Sequence, residues 1–304
     1  MNNKYLPLSD VQRSYFYGRS KGTFLGGIST HFYIECMTSL DKDKLEKALN
    51  SVIKEQPSLR SYITSDGMQC CMDEAPEYYR IKETDISRLS YEEQEKKLLE
   101  IRKRCSNRIF DLDSWPMFEF NICITGRDKN VMIIDSDMMI MDGLSTEILI
   151  ESLYKYYEKD EPVREISIEA FEDHIALKEQ KKAKNYDNDK AFWKEIIEEL
   201  PSGPHFERTG GNEECTFDTR EISVPADKWG AKSRELKSER ILPSVYLTAA
   251  YAKLLSRWCG QSRITLNMTM SNRKGNAKAL LNAIGDFTEV MLVDFDFSMK
   301  KSLK

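Results

Sequence analysis

Apolar positions recur along this chain with two periods, and the switches between them mark out its elements. Between Asp41 and Glu55, Leu45, Ala48, Leu49, Val52 and Ile53 fall at i, i+3, i+4, i+7 and i+8, one stripe of an amphipathic helix that Pro57 ends. Ser9-Asp10-Val11-Gln12 and Ser90-Tyr91-Glu92-Glu93 have the capping-box form, and predict a short helix towards Gly18 and a charged helix running to about Ile109. Strict alternation at Phe118, Phe120, Ile122 and Ile124 predicts a half-buried strand. The turn Gly126-Arg127-Asp128-Lys129-Asn130 then joins it to Val131-Met132-Ile133-Ile134 as a hairpin. Further strands are expected over Gly26–Glu35 after a glycine turn, Ser58–Ile63, Phe217–Val224 and Arg263–Met270, and from Val290 to Phe295. Helices are expected from Gly143 to about Glu158, from Ala191 to Leu200, over Ala226–Glu239, and from Pro243 to Trp258. The charged stretch from Lys159 to Asn188 reads as a partly helical connection. Strands mixed with helices in each half predict an α/β or α+β architecture with two similar lobes, divided near residue 170 (1–170 and 171–304).

One stretch breaks the apolar pattern where burial should be deepest. Asp135-Ser136-Asp137-Met138-Met139-Ile140-Met141-Asp142-Gly143 places carboxylates between a strand and a helix. Such acids are costly to bury unless paired or hydrogen-bonded. Either they are braced structurally or they face a cavity and do chemistry. Arg60, at the start of its predicted strand, is a candidate partner for one of them.

Composition narrows the function classes. At 304 residues the chain can bury a large core, and its net charge of −5 comes without a block dominated by Lys and Arg, so nucleic acid is not an expected primary partner. The lysines from Lys178 to Lys184 read as solvated surface. The N-terminus has no apolar core of a secretory signal, and no apolar run approaches the length of a membrane span. Seven cysteines, with no Cys-x-x-Cys pair, fit reduced thiols in a cytoplasmic protein, and three scattered histidines offer no metal site. His31 would share a strand face with Tyr33 and Glu35, as a rim residue or as a catalyst.

Several of these segments together resemble the heterocyclisation domains of nonribosomal peptide synthetases, a branch of the condensation-domain superfamily. Leu6-Pro7-Leu8-Ser9-Asp10-Val11-Gln12 with Tyr15 and Gly18-Arg19 resembles the opening motif, and Gly26-Gly27-Ile28 with His31, Tyr33 and Glu35 resembles the segment after it. Leu59-Arg60 with Asp66-Gly67 and Gln69, and Phe110-Asp111-Leu112 with Trp115-Pro116, are similar to the next segments. Asp137-x4-Asp142 discriminates most. Ordinary condensation domains carry two adjacent histidines and then Asp-Gly; here Asp137 and Met138 stand in the histidine positions and Asp142-Gly143 keeps the rest. Trp193, Leu200-Pro201 and Pro204, then Pro243-Ser244 through Trp258, and finally Gly285-Asp286-Phe287-Thr288, resemble later motifs in the family's order.

The resemblance implies two chloramphenicol-acetyltransferase-like lobes in a V with a tunnel between them. No directly bound cofactor is implied. Substrates would arrive on the phosphopantetheine of upstream and downstream carrier proteins, alongside other synthetase domains. An acyl or aminoacyl thioester would be condensed with carrier-bound Cys, Ser or Thr, then cyclodehydrated to a thiazoline or oxazoline. Asp137 would be catalytic or substrate-positioning, and Asp142 mainly structural, paired with Arg60 or Arg19. Tyr15, His31, Met138, Gly143, Asp286 and Thr288 would line the tunnel. Family members run on well beyond Phe297, so the second lobe is expected to be incomplete here, with the threonine and aspartate usually assigned to cyclodehydration outside it. Two other readings stay open: an inactive or carrier-binding remnant, and a related condensation-type acyltransferase, the last disfavoured by Met138 in the catalytic histidine's place.

Overall fold

In a computed structural model, residues 3–19, 28–159, 161–163, 165–207, 222–273 and 280–299 are described. The Gly26-Gly27 turn and most of the expected Phe217–Val224 strand lie outside them; residues 222–224 are not in a strand. The chain forms two compact units. The first takes in the chain up to Lys182 together with Ser271–Glu289, and the second holds most of Ala183–Met270 and the chain from Val290.

The first unit is built on a four-stranded sheet of order β2-β7-β6-β5, comprising β2 (His31–Thr38), β5 (Lys82–Asp85), β6 (Phe118–Ile124) and β7 (Asn130–Asp137). β6 and β7 form the expected antiparallel hairpin, β2 pairs antiparallel with β7, and β5 runs parallel to β6. Strand side chains alternate between faces. Phe118, Phe120, Ile122, Met132 and Ile134 therefore pack with Leu45, Leu49, Val52 and Ile53 of α2 (Lys42–Glu55) and Ile148, Leu149 and Leu153 of α4 (Gly143–Tyr154). Cys123, Val131 and Ile133 on the other face pack with Leu98, Ile101 and Cys105 of α3 (Tyr91–Ser106). Helices cover both faces, which is why seven successive residues of β7 are buried. A second, antiparallel sheet has the order β1-β4-β3, from β1 (Lys4–Pro7), β3 (Ser61–Ile63) and β4 (Met68–Cys71).

Local chemistry fixes the helix starts. Ser9 and Ser90 form complete capping boxes with Gln12 and Glu93 at α1 (Asp10–Gly18) and α3, and Asp41 caps α2. The strand expected from Ser58 starts only at Ser61, because Pro57–Arg60 is a 3-10 turn closing onto α2. α4 ends at Tyr154 in a π-helical turn over Lys155–Lys159. The expected partly helical connection and the helix around Trp193 are one continuous helix, α5 (Ile168–Ile196).

The second unit contains α6 (Ala226–Ser238), α7 (Pro243–Cys259) and most of a two-stranded sheet of β8 (Arg263–Ser271) and β9 (Thr288–Asp296), of which Ser271, Thr288 and Glu289 are assigned to the first. Pro243 opens α7, and Gly260 closes it in the left-handed conformation with φ of 70°. Ala252, Leu255 and Ile264 form its small core. No helix among the described residues is long and apolar enough to cross a membrane.

The segment 280–289 belongs to the first unit although it is last in sequence. Buried Gln56 at the end of α2 holds it, donating to the Asn282 carbonyl at 3.1 Å and accepting from the Ile284 amide at 2.9 Å. Gly285 is required there: a Cβ would lie 2.9 Å from the Phe287 ring and 3.0 Å from that of Phe171.

Candidate functional site

β7 ends at Asp137, α4 begins at Gly143, and the chain between them is held from every side. The Asp137 amide donates to the Met117 carbonyl at 2.9 Å, and the Met138 amide to the Thr30 carbonyl at 3.0 Å. Gln12 of α1 donates to the Met139 carbonyl at 2.7 Å. From Val131 to Asp142 only Met138 is partly exposed.

Asp137 is fully buried and saturated. Arg19 Nη2 lies 2.5 Å and 2.6 Å from its two oxygens, Ser29 Oγ donates at 2.9 Å, and the Met139 amide donates at 2.9 Å. A carboxylate so paired and hydrogen-bonded pins the loop onto α1 and the entry to β2.

Asp142 is likewise a brace. As the N-cap of α4 its Oδ1 accepts from the Ser145 amide at 2.8 Å and the Ser145 hydroxyl at 2.7 Å. Arg273 donates to both oxygens, at 2.9 Å and 3.0 Å, and the Phe287 amide adds a bond at 3.3 Å. Ser145 Oγ meanwhile accepts from the Gly285 amide at 3.1 Å and lies 2.9 Å from the Gly285 carbonyl, an alternative acceptor for its single proton. The helix start and the 280–289 segment are thereby locked together by a buried, bidentate ion pair.

The aspartates' partners differ from those expected. Arg60 pairs with neither. It caps the end of α2, donating to the carbonyls of Ile53 at 3.0 Å, Lys54 and Met72 at 3.1 Å, because the 3-10 turn points its side chain back at α2. Arg19 serves Asp137 rather than Asp142, and Arg273 takes the place expected for it. Ser145 was open to inference, since it stands three residues after the cap; Arg273 and Ser29 carry no local signal, lying 131 and 108 residues from the aspartates they serve.

The remaining expected residues lie around this loop. His31 stands opposite Asp137 in the β2–β7 register, with Nδ1 3.2 Å from the Ser29 carbonyl. Gly143 is the first residue of α4 and is exposed. Tyr15 is half-buried on α1; burial, and then the charges of Asp286 and Asp137, push its phenol upward. The Asp286 carboxyl is also pushed up, first by burial and further by the Asp142 charge, against hydrogen bonds from Thr288 and Ser9. Its Oδ1 accepts from the Thr288 amide at 3.1 Å and its Oδ2 from Ser9 Oγ at 3.3 Å. Thr288 is buried. Among the described residues no group of three or more His, Cys, Asp or Glu could hold a metal ion.

The Condensation domain family profile matches residues 2–304. The chain belongs to that family. It is a condensation-type domain of the nonribosomal peptide synthetase kind, and its fold is theirs. Bacitracin synthase 1 of Bacillus licheniformis is 27% identical over 96% of this chain, which spans 6% of that protein. The phenyloxazoline synthase MbtB of Mycobacterium bovis is 26% identical, again over 96% of this chain and 21% of the relative. The solved EpoB cyclization-docking bidomain from Sorangium cellulosum superposes with a TM-score of 0.83 at 25% identity, covering 98% of this chain and 60% of that one. The condensation domain thus represents a small part of the curated relatives it matches.

Proposed function

We propose that this condensation domain is of the heterocyclising type. It would join an upstream carrier-bound acyl or aminoacyl thioester to a carrier-bound Cys, Ser or Thr and then close a thiazoline or oxazoline. The observation that carries the reading is the loop after β7. At the half-exposed position where ordinary condensation domains hold a histidine stands Met138, which cannot move a proton, and the preceding Asp137 is consumed in binding Arg19, Ser29 and the Met139 amide. The likeness to a cyclization bidomain and to a phenyloxazoline synthase supports it.

In the first step the acceptor amine attacks the thioester carbonyl, and the C–S bond breaks to release the phosphopantetheine thiol. In the second, the side-chain thiol or hydroxyl adds to the new amide carbonyl, and the former carbonyl oxygen leaves as water. Protons must reach that oxygen and leave the nucleophile and the nitrogen. On this reading Asp137 and Asp142 shape the loop as positioning residues, and proton transfer falls to other groups. Tyr15, whose half-buried setting beside two acids favours its protonated form, suits that work.

The test incubates the protein with both loaded carriers and weighs the products. A product one water lighter than the amide is expected. Amide without water loss would make the protein a condensing acyltransferase only, and no amide at all would favour a carrier-binding remnant.

A further inference from the structure

A cavity of about 290 Å³ lies within the first unit, between β1 and α1 on one side and α5 and the 285–288 segment on the other. Its apolar wall includes Leu6, Leu8, Phe171, Ile175 and Phe287, with the rings of Phe171 and Phe287 stacked at 5.6 Å. Asp286 and Ser9 supply a carboxyl and a hydroxyl to the lining. Asp286 is the unusual member: its hydrogen bonds come from Ser9 and Thr288, and no described Lys, Arg or His forms an ion pair with it. The cations at the rim are engaged elsewhere. Arg13 and Lys182 both pair with Asp10, Lys182 at 3.6 Å, and Lys178 pairs with Glu289 at 2.9 Å. A rim whose cations are already matched is poorly suited to a phosphate. A sequestered carboxyl group beside aromatic faces, paired to no cation among the described residues, is suited to an organic ammonium, which would supply the counter-ion and lie against the rings.

We propose that this cavity binds the free ammonium group of the upstream aminoacyl substrate, with Asp286 as its counter-ion. The identity of that substrate rests on the heterocyclising reading; the ammonium selectivity rests on the cavity. The upstream amine takes no part in bond formation and can stay protonated, whereas the downstream amine must be neutral to attack. An acidic partner therefore suits the upstream group.

The experiment uses the full chain, without carriers, titrated with L-alanine methyl ester and with its uncharged N-acetyl counterpart. Binding is read from amide shifts of Phe171, His174 and Ile175. The charged ester should bind at least tenfold more tightly than the neutral one. Asp286→Asn should erase that preference while thermal melting shows the protein folded, and Ile175→Phe should weaken the charged ester by filling the wall. Equal binding of the two esters by the wild type, or undiminished selectivity in Asp286→Asn, overturns the proposal. So does inorganic phosphate perturbing the same amides more strongly than the charged ester. None of these readouts involves ring formation, so loss of cyclodehydration in the carrier assay would strike the functional reading and leave the cavity's selectivity to be judged by itself.

Discussion

Replacing Asp135 by Asn should make the domain more stable at pH 8 and leave it nearly unchanged at pH 4. Asp135 is fully buried on the α3 face of the sheet, opposite Tyr33 on β2 and Glu119 on β6. Arg108 reaches it, Nε to Oδ2 at 2.8 Å, but the same guanidinium also holds Glu119 at 2.7 Å and 3.0 Å. Burial therefore outweighs the arginine, and with the charges of Glu119 and Asp137 adding, the Asp135 carboxyl is pushed from 3.8 to about 7. A carboxyl raised in the folded state binds its proton more tightly folded than unfolded. Its contribution is fully present below the unfolded value and is lost as pH climbs to the folded one. The difference amounts to about 4 kcal/mol at most by pH 8. Asparagine keeps the shape without the ionisation, and Arg108 retains Glu119. Urea unfolding of both proteins from pH 4 to pH 8 isolates this group, because the other titrations cancel in the comparison. The stability gap should open in favour of Asp135→Asn mainly between pH 5 and pH 7. A gap independent of pH, or a variant less stable than wild type at pH 8, would refute the reasoning.

Asp142→Ala should cost about 3–5 kcal/mol, because it leaves Arg273 buried without its anion and α4 without its cap; melting and yield of soluble protein check it, and an unchanged midpoint would remove the bracing role. Arg19→Ala should destabilise by a similar amount, because it leaves the buried Asp137 without its cation; thermal melting tests it, and an unchanged midpoint would remove the pinning role.

Much of the first unit was legible in the chain because its cues are local. Capping boxes at Ser9 and Ser90, the stripe from Leu45 to Ile53, and the alternation leading into the 126–130 turn each specify an element within a few residues, and the hairpin puts Asp137 at a strand end. Short β1 and β5 escaped because four residues carry too little period to read, and β5 is a strand only through its parallel pairing with β6. The motif order from Leu6 to Thr288 was enough to indicate the family.

Local pattern and motif order therefore account for the longer strands and the capped helices of the first unit, the family and the placing of two acids at a loop between a buried strand and a helix. Which cation answers which acid depends on the folded chain. Arg60 looked eligible from its position, but the 3-10 turn sends it to the carbonyls of α2, while Arg19 and Arg273 arrive from 118 and 131 residues away. The same holds for the cavity beside Asp286, whose walls come from β1, α1, α5 and the 285–288 segment. The reason is physical: a buried charge takes whichever partner the packing brings within hydrogen-bonding reach, and hydrophobic packing draws those partners together without regard to their separation along the chain.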